Sequence, residues 1–519
     1  MNFEKSKRKL IRALFLEKVK TPADLACLKR KLAKKHQIPC PSNIELLKIY
    51  RRLVKNKGVG KSKKIENLLR TRPVRSLSGI VNVSVLTKPY PCPGECIYCP
   101  AEKGIPKSYL SGEPAVERAK RLNYDPYWQV KKRIEMLGLE GHPTDKIELR
   151  IVGGTWSFYP QKYQSWFIKK CFDACNYGRA TSMWTSHVQN ENAKHRIVGL
   201  SIETRPDFIN EKEIKRLRKL GVTMVELGVQ SIYDNVLKLN KRGHGVKEIV
   251  GATKLLKNAG FKVLYQMMPN LPGSNPKRDL KMFRELFSDS RFRPDLLKIY
   301  PCALVKKSPL YKWWKKGEYQ PYTEKQLINL VKSIKKNIPR YVRIQRITRD
   351  IPAHSIVAGP AKISNLRQLV SGNCQCIRCR EVKGNYNPKE KLYLFHQDYH
   401  ASDGKEIFLS FENPEGKPPA SYGAGKNRKL YSLLRLRITS EGKAVIRDLH
   451  TYGQLVPLAA KEMAPQHKGL GRKLIEEAER MVKKEFGLHR IAVISGIGAR
   501  NYYRKLGYKL KDTYMVKEI

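Results

Sequence analysis

Acidic residues are scarce in this chain. Its 519 residues hold 46 Asp and Glu against 103 Lys and Arg, a formal net charge of +57 with histidine neutral. An excess of that size goes beyond what solubility needs and calls for a polyanionic partner, RNA or DNA first. It argues against halophilic adaptation, which adds acid, and against the Lys/Glu surfaces of heat-adapted proteins, which are mixed in sign. Long apolar runs are also missing. No stretch approaches the roughly 18 residues of a membrane helix, and the basic start Met1 to Lys9 is not followed by a signal-like apolar block. That profile is expected of a cytoplasmic protein that neither enters a membrane nor is exported. The eleven cysteines lack the spacing of a disulfide framework. They form two tight triplets plus singles, which reads as metal ligation in a reducing compartment. There is no internal repeat and no long low-complexity segment.

What is present centres on Cys92-Pro-Gly-Glu-Cys96-Ile-Tyr-Cys99. These cysteines follow an apolar, β-branched run, Ile80 to Leu86, and so lie on a loop at the carboxyl end of a strand. Three thiolates leave one iron of a 4Fe–4S cluster open to a non-protein ligand, whereas four would close it. A structural zinc with a distant fourth ligand is the alternative on spacing alone.

Along the chain, residues 1–75 carry 23 Lys/Arg and 5 Asp/Glu. Leu10, Leu14, Leu25, Leu28 and Leu32 recur at helical intervals, so this segment is expected to be a small helical module with a cationic face suited to nucleic acid. Residues 76–350 alternate short β runs with helical stretches. Strands are expected at Ile80–Leu86, Ile147–Val152, Val198–Glu203, Met224–Val229, Lys262–Met267 and Leu296–Tyr300. Repeated β-α units of this kind imply an α/β fold with a parallel sheet closed partly or fully into a barrel, reactive loops at the strand carboxyl ends. Residues 351–388 read as a linker without a scaffold of its own. It holds Cys374, Cys376 and Cys379, whose spacing suits a structural zinc, with a second iron-sulfur cluster or free thiols as alternatives. Residues 389–519 read as a separate α+β domain, with strands Lys391–His396, Ile407–Phe411, Leu430–Ile438 and Ala444–His450 before a helix from about Gly469 to Phe486 and a strand Ile491–Ser495.

The CxxxCxxC loop with Tyr98 before its last cysteine resembles the radical S-adenosylmethionine (SAM) superfamily, in which the open iron chelates SAM. By that resemblance Gly153-Gly154-Thr155, ending a strand, would receive the SAM amino group. Glu203, Gln230 and Arg242, at or just beyond later strand ends, would hold its ribose and carboxylate. The second domain resembles the GCN5-related N-acetyltransferases. Gln466-His-Lys-Gly469-Leu470-Gly471-Arg472 opens the long helix, where free N–H groups and the helix dipole suit the pyrophosphate of coenzyme A. Asp448-Leu449-His450-Thr451 would pair with the pantetheine arm. Of Tyr502 and Tyr503, Tyr503 is the expected contact near the thioester sulfur, where a phenol can protonate a thiolate.

A radical SAM barrel joined to an acetyltransferase domain resembles the Elp3 family, the catalytic subunits of Elongator, from about residue 75 to 519. Matching blocks are Arg205-Pro206-Asp207, Glu226 to Ser231, Met267 to Pro272, Leu297 to Pro301 and Ile491 to Gly496. The resemblance implies carboxymethylation at carbon 5 of the tRNA wobble uridine, with a SAM-derived radical activating the acetyl methyl of acetyl-CoA. Lys146 aligns with a family lysine linked to acetyl-CoA. The implied partners are tRNA and an electron donor. The short cysteine spacing resembles archaeal and bacterial members, which leaves the other Elongator subunits, like a homodimer, an open matter. Two other readings stand beside this one: a protein lysine acetyltransferase with a non-catalytic iron-sulfur domain, and an RNA-binding scaffold with two structural metals.

Overall fold

The structure is a computed structural model that describes residues 2–16, 19–363, 365–383, 390–413, 428–453 and 469–519. The chain opens with four helices, Asn2–Leu16, Pro22–Lys35, Asn43–Lys55 and Lys63–Leu69. Capping boxes start two of them: Thr21 accepts the Asp24 N–H at 3.1 Å and Ser42 accepts that of Glu45 at 3.2 Å, each acid bonding back to the cap N–H. Leu10, Ile11, Leu14, Leu25, Leu46 and Tyr50 close a small core of their own. The module docks on the end of helix Pro126–Leu139, where Arg51 and Arg70 donate to the carbonyls of Gly138 and Gly141, each at 2.9 Å.

Nine strands follow: β1 (Val81–Leu86), β2 (Lys146–Val152), β3 (Arg196–Thr204), β4 (Met224–Gln230), β5 (Lys262–Met267), β6 (Leu296–Ile299), β7 (Leu304–Val305), β8 (Arg343–Ile347) and β9 (Ile356–Ala358). Seven of them form one parallel sheet in the order β1-β2-β3-β4-β5-β6-β8. Its two edges, β1 and β8, do not pair, so the barrel is partial. Period-two alternation divides each strand between two faces. On β2, Ile147, Leu149 and Ile151 are buried in the core beneath the helices, while Glu148 and Arg150 face the lumen. β5 does the same, with Val263, Tyr265 and Met267 in the core and Lys262 and Gln266 toward the lumen.

The carboxyl-terminal part adds β10 (Tyr393–Ala401), β11 (Gly404–Asn413), β12 (Lys429–Ile438), β13 (Ala444–Thr451), β14 (Arg490–Val493), β15 (Lys509–Lys511) and β16 (Tyr514–Glu518) in a second sheet ordered β10-β11-β12-β13-β14-β16-β15. Among the described residues only β13 and β14 run parallel in it. They pair from Ala444/Ile491 to Ile446/Val493 and then part, while β13 continues to Thr451 along β12. Helix Leu470–Lys484 packs on this sheet through Leu474, Ile475 and Ala478.

This second sheet docks under the amino ends of the barrel strands. Gly496 comes so close to β3 that a Cβ there would stand 2.1 Å from the Val198 carbonyl oxygen. A buried ionic cluster seals the joint. Arg447 donates to Asp295 at 2.5 Å and to Glu406 at 2.7 Å, and Lys257 lies 3.3 and 3.5 Å from the same two carboxylates.

The connector after β8 is less bare than its composition suggests. β9 pairs with β7, helix Ile377–Arg380 packs against β8, and Leu366, Val370, Cys376, Ile377 and Val382 join the main core. The expected boundary at 388/389 lies outside the described residues.

Candidate functional site

The loop after β1 is fastened on both sides. Thr87 donates its N–H to Val152 at 3.0 Å and its hydroxyl to the Gly153 carbonyl at 3.1 Å; farther on, the Ile97 N–H donates to Asn240 at 3.2 Å and the Leu310 N–H to Ile97 at 2.7 Å. Cys96 is buried, Cys92 and Cys99 partly so. Burial pushes the Cys96 thiol up, but Arg242, which donates to its Sγ at 3.4 Å, and Arg205 more than offset this and leave it below the ordinary value. Cys99, without such a partner, is pushed up to about 12 by burial and by neighbouring Cys96.

The strand ends gather round this loop. Gly153 and Gly154 both have positive φ, 130° and 94°, and a Cβ on Gly153 would lie 2.0 Å from the Thr87 hydroxyl. The backbone is therefore bare there, as close approach of a ligand requires. The Thr155 hydroxyl stands 3.8 Å from Cys92 Sγ. Gln230 ends β4 with φ of 69°, and its Oε1 is buried without a partner among the described residues. Arg242 donates to the Gly228 carbonyl at 2.5 Å besides Cys96. Glu203 accepts from Tyr109 at 3.2 Å, Gln266 at 3.1 Å and Lys298 at 3.1 Å, and Lys298 also pairs with Glu226. The Lys298–Glu226 pair and Arg205, bidentate to Asp207 at 2.8 and 2.9 Å, stand in the matching sequence blocks but carry no site role there. Lys298 was legible there as one charge inside the β run Leu297-Lys298-Ile299.

Lys146 starts β2 at the amino end, remote from the cysteine loop, and does not line the cavity described below. The lysine placed on the barrel floor is Lys262, whose Nζ donates to Asp448 of β13 at 3.1 Å. A bulge at Arg447 turns Asp448 toward the barrel, with His450 and Tyr452 following on that face. Burial holds the His450 imidazole down at about 4 against the pull of Asp448, so it is neutral.

On the other face of β13, the head of helix Leu470–Lys484, Leu449, Thr451 and Tyr502 converge. Gly469 caps the helix with φ of 67°. A Cβ on Gly471 would lie 3.1 Å from the Tyr502 hydroxyl, 3.7 Å from Thr451 Oγ1 and 3.8 Å from Leu449. The Arg472 guanidinium is drawn aside to Glu476 at 2.7 Å. Tyr503, the expected contact, has its ring seated in the core against Tyr508, 5.8 Å between centroids; Tyr502, 41% exposed, is the tyrosine that reaches the glycine turn. Gln466 lies outside the described residues.

One cavity of about 780 Å³ runs from the cysteine-loop end of the barrel to the barrel-facing side of β13, and Leu449, Thr451, Gly471 and Tyr502 are not in its lining. Cys99, Gln230 and Tyr300 line one end of it, Asp448, His450 and Tyr452 the other.

Comparison with known proteins follows the same division. Residues 90–286 match the Radical SAM superfamily model, 294–375 the Radical_SAM C-terminal domain and 391–508 the Acetyltransferase (GNAT) family. The chain is 46% identical over 509 residues to a tRNA uridine(34) acetyltransferase of Methanocaldococcus infernus, covering 92% of each. It is 37% identical to Elongator complex protein 3 of Homo sapiens, covering 86% of each. The solved structure of archaeal Methanocaldococcus infernus Elp3 lacking its first residues superposes with a TM-score of 0.73 at 43% identity, over 85% of this chain and all of that one. The chain belongs to the Elp3 family.

A radical SAM domain implies SAM and a 4Fe–4S cluster, and acetyl-CoA fits the GNAT domain. The residues present suit these groups. Among the described residues, only Cys374, Cys376 and Cys379 bring three metal-binding atoms within 4.8 Å of one another. The Cys92, Cys96 and Cys99 sulfurs stand wider, as a cluster with thiolates on separate irons requires and one tetrahedral ion does not. The orphan Oε1 of Gln230 and the bare backbone at Gly153 and Gly154 leave room for a polar ligand beside them. In this Elp3-family chain no fourth ligand joins the tight second group among the described residues. No helix among them is long and apolar enough to cross a membrane.

Proposed function

We propose that this chain carboxymethylates carbon 5 of the tRNA wobble uridine, taking the two carbons from acetyl-CoA. The observation that carries the reading is the single cavity running from Cys99 and Gln230 to Asp448 and His450. The strand that ends this cavity, β13, bears Leu449 and Thr451 beside the Gly471 turn on its opposite face, and one strand serving both places suits a reaction that consumes SAM and an acetyl thioester together. The names borne by relatives, tRNA uridine(34) acetyltransferase, and the charge of +57 support a tRNA substrate.

When bound, the cluster and SAM supply a 5′-deoxyadenosyl radical able to take hydrogen from an acetyl methyl. The chain's own residues do the rest by position. Cys92, Cys96 and Cys99 would hold the cluster, with Arg242 fixing the Cys96 sulfur against β4. Gly153, Gly154 and Thr155 would take the amino group of SAM, and the Gln230 Oε1, an acceptor, suits a ribose hydroxyl. Glu203, already engaged by Lys298 and Gln266, is better placed to order the lumen than to be free for a ribose. The turn Gly469-Leu470-Gly471 would receive the pyrophosphate of coenzyme A, Leu449 and Thr451 the pantetheine, and Tyr502 the sulfur. Cys374, Cys376 and Cys379 would hold a zinc that pins the connector to β8. Because the barrel covers the face of β13 bearing Asp448 and His450, this arrangement favours a base delivered into the cavity over acetylation of a partner protein's lysine.

The test is anaerobic incubation of reconstituted protein with acetyl-CoA, SAM, dithionite and bulk tRNA. Mass spectrometry of the nucleosides is expected to find carboxymethyluridine, absent with Cys96→Ala. Deoxyadenosine formation without that nucleoside would refute the assignment.

A further inference from the structure

The three cluster cysteines have different surroundings. Cys99 lines the cavity and Cys96 lies buried against Arg242. Cys92 is partly exposed, is absent from the cavity lining, and stands 3.8 Å from the Thr155 hydroxyl just beyond β2. From its side of the loop a continuous file of aromatic rings leads to the surface. Tyr90, two residues before Cys92, stacks on Tyr159 with 4.8 Å between centroids; Tyr159 stacks on Tyr163 at 5.2 Å, and Tyr163 meets Trp166 at 5.6 Å. Tyr163 and Trp166, three apart on the helix Gln161–Asn176, are neighbours on its surface. Trp166 is 42% exposed, and Phe158, at 5.9 Å from Tyr90, is 36% exposed.

Hydrogen bonds tie this file to the segment that carries Cys92. The Tyr159 hydroxyl sits 2.8 Å from both the Thr87 hydroxyl and the Lys88 carbonyl, and the Tyr163 hydroxyl accepts the Lys88 N–H at 3.1 Å. Exposed rings at both ends of one packed file make a patch rather than scattered singles, and a patch with a charged rim marks a contact surface. Two lysines form that rim. Lys88 lies over the Tyr163 ring at 5.0 Å and Lys162 precedes Tyr163; both are exposed, and neither has a carboxylate partner among the described residues. Nucleic acid also favours aromatic and basic residues together, but it needs open ring faces on which bases can stack. Here Tyr159 is buried, and its faces are taken by Tyr90 and Tyr163. What the file offers instead is a packed route, ring to ring, from the surface to the neighbourhood of a cluster ligand. That is the condition for an electron to tunnel inward.

We propose that Phe158, Trp166, Lys88 and Lys162 form the docking surface of a small acidic protein carrying one low-potential electron, which enters through Tyr163, Tyr159 and Tyr90 to the cluster at Cys92. This rests on the cluster reading above and not on the identity of the nucleoside product. The carrier is oxidised by one electron, the cluster is reduced by one, and no bond or proton changes hands. Such a carrier must arrive and leave for each SAM cleaved. A few exposed rings with a cationic rim suit that, because electron-transfer partners use small, weak interfaces and rely on charge for fast encounter. A chain of net charge +57 draws an acidic partner from a distance.

The probe is reduced flavodoxin, an acidic one-electron flavoprotein whose flavin absorbance reports its own oxidation, mixed anaerobically with the reconstituted full-length protein in stopped flow. Dithionite, small enough to need no docking surface, is the parallel reductant. Trp166→Glu should slow flavodoxin oxidation at least tenfold and leave cluster reduction by dithionite and the affinity for tRNA within twofold. Trp166→Phe, which keeps an aromatic ring, should stay within threefold of the unaltered rate. Lys88→Glu combined with Lys162→Glu should also slow flavodoxin at least tenfold and flatten the fall of its rate with added salt. Equal slowing with dithionite, an unchanged flavodoxin rate in these variants, or no oxidation of flavodoxin by the unaltered chain would overturn the surface. A fall in tRNA affinity at an unchanged flavodoxin rate would give the patch to RNA and overturn it as well. A reconstituted chain without cluster absorbance would refute the cluster reading and the surface with it, whereas the expected rates without any carboxymethyluridine uphold the surface and refute the nucleoside product alone.

Discussion

Lys262 Nζ and the Asp448 carboxylate, 186 residues apart, meet at 3.1 Å where the barrel floor touches β13. The Asp448 carboxyl, pushed up by burial, is held below its usual range by Lys262 and Arg435. This ion pair fixes the register between the strand that faces coenzyme A and the barrel that faces the cluster. Lys262→Met removes the charge and keeps the length. A partly buried pair of this kind contributes roughly 1–2 kcal/mol, between exposed and fully buried cases. We expect unchanged coenzyme A affinity by calorimetry and a fall in nucleoside product of about tenfold, the cost of a misplaced strand.

Gly471→Ala separates stability from binding. Gly471 is the second residue of its helix, so alanine there gains at most the roughly 0.5–1 kcal/mol of an interior position, and the φ at 471 is not positive. The new Cβ would nevertheless press on the Tyr502 hydroxyl at 3.1 Å. The thermal midpoint should hold or rise while coenzyme A affinity drops by about tenfold, some 1.4 kcal/mol. A loss of both would mean that the turn supports the fold rather than the ligand.

His187 provides a pH signature away from the chemistry. It packs edge-on against Phe172 at 4.5 Å, and burial, then Arg500 and Arg218, hold its imidazole down at about 3. Between about pH 6.5 and that value the unfolded chain binds a proton that the folded chain refuses, so stability falls as pH falls. The span allows up to about 5 kcal/mol. His187→Leu should flatten the dependence of the denaturation midpoint between pH 6.5 and 4. An unchanged slope would place the titration elsewhere.

The second cysteine group predicts one zinc per chain by elemental analysis, lost in Cys379→Ser. Because Cys376, Ile377 and Val382 are packed into the main core, metal loss should also lower the thermal midpoint. Zinc content at one equivalent in the variant would exclude Cys379 as a ligand.

Much of this architecture was legible because burial in a parallel sheet writes itself as short β-branched runs. Val81–Leu86 and Lys262–Met267 needed no context. β8 was missed, since Arg343, Gln345 and Arg346 interrupt its apolar pattern; these residues turn to the cavity. The cysteine loop and the Gly469–Gly471 turn are contiguous in sequence and so were visible. The Lys262–Asp448 pair and the Lys257, Asp295, Glu406 and Arg447 cluster join residues far apart in the chain, and no local pattern announces them. Tyr502 and Tyr503 were indistinguishable by composition. Their places differ because consecutive residues on a helix point about 100° apart, one into the core and one toward the turn.

The central claim is that SAM chemistry acts on the acetyl methyl. Anaerobic reaction with acetyl-CoA deuterated at its methyl, unlabelled SAM, reductant and tRNA tests it most directly through the masses of deoxyadenosine and of the wobble nucleoside. The account predicts deuterium in deoxyadenosine and the remaining deuterium in a carboxymethyl group on uridine, both absent with Cys96→Ala. Unlabelled deoxyadenosine beside an intact deuterated acetyl group on RNA or protein would contradict it.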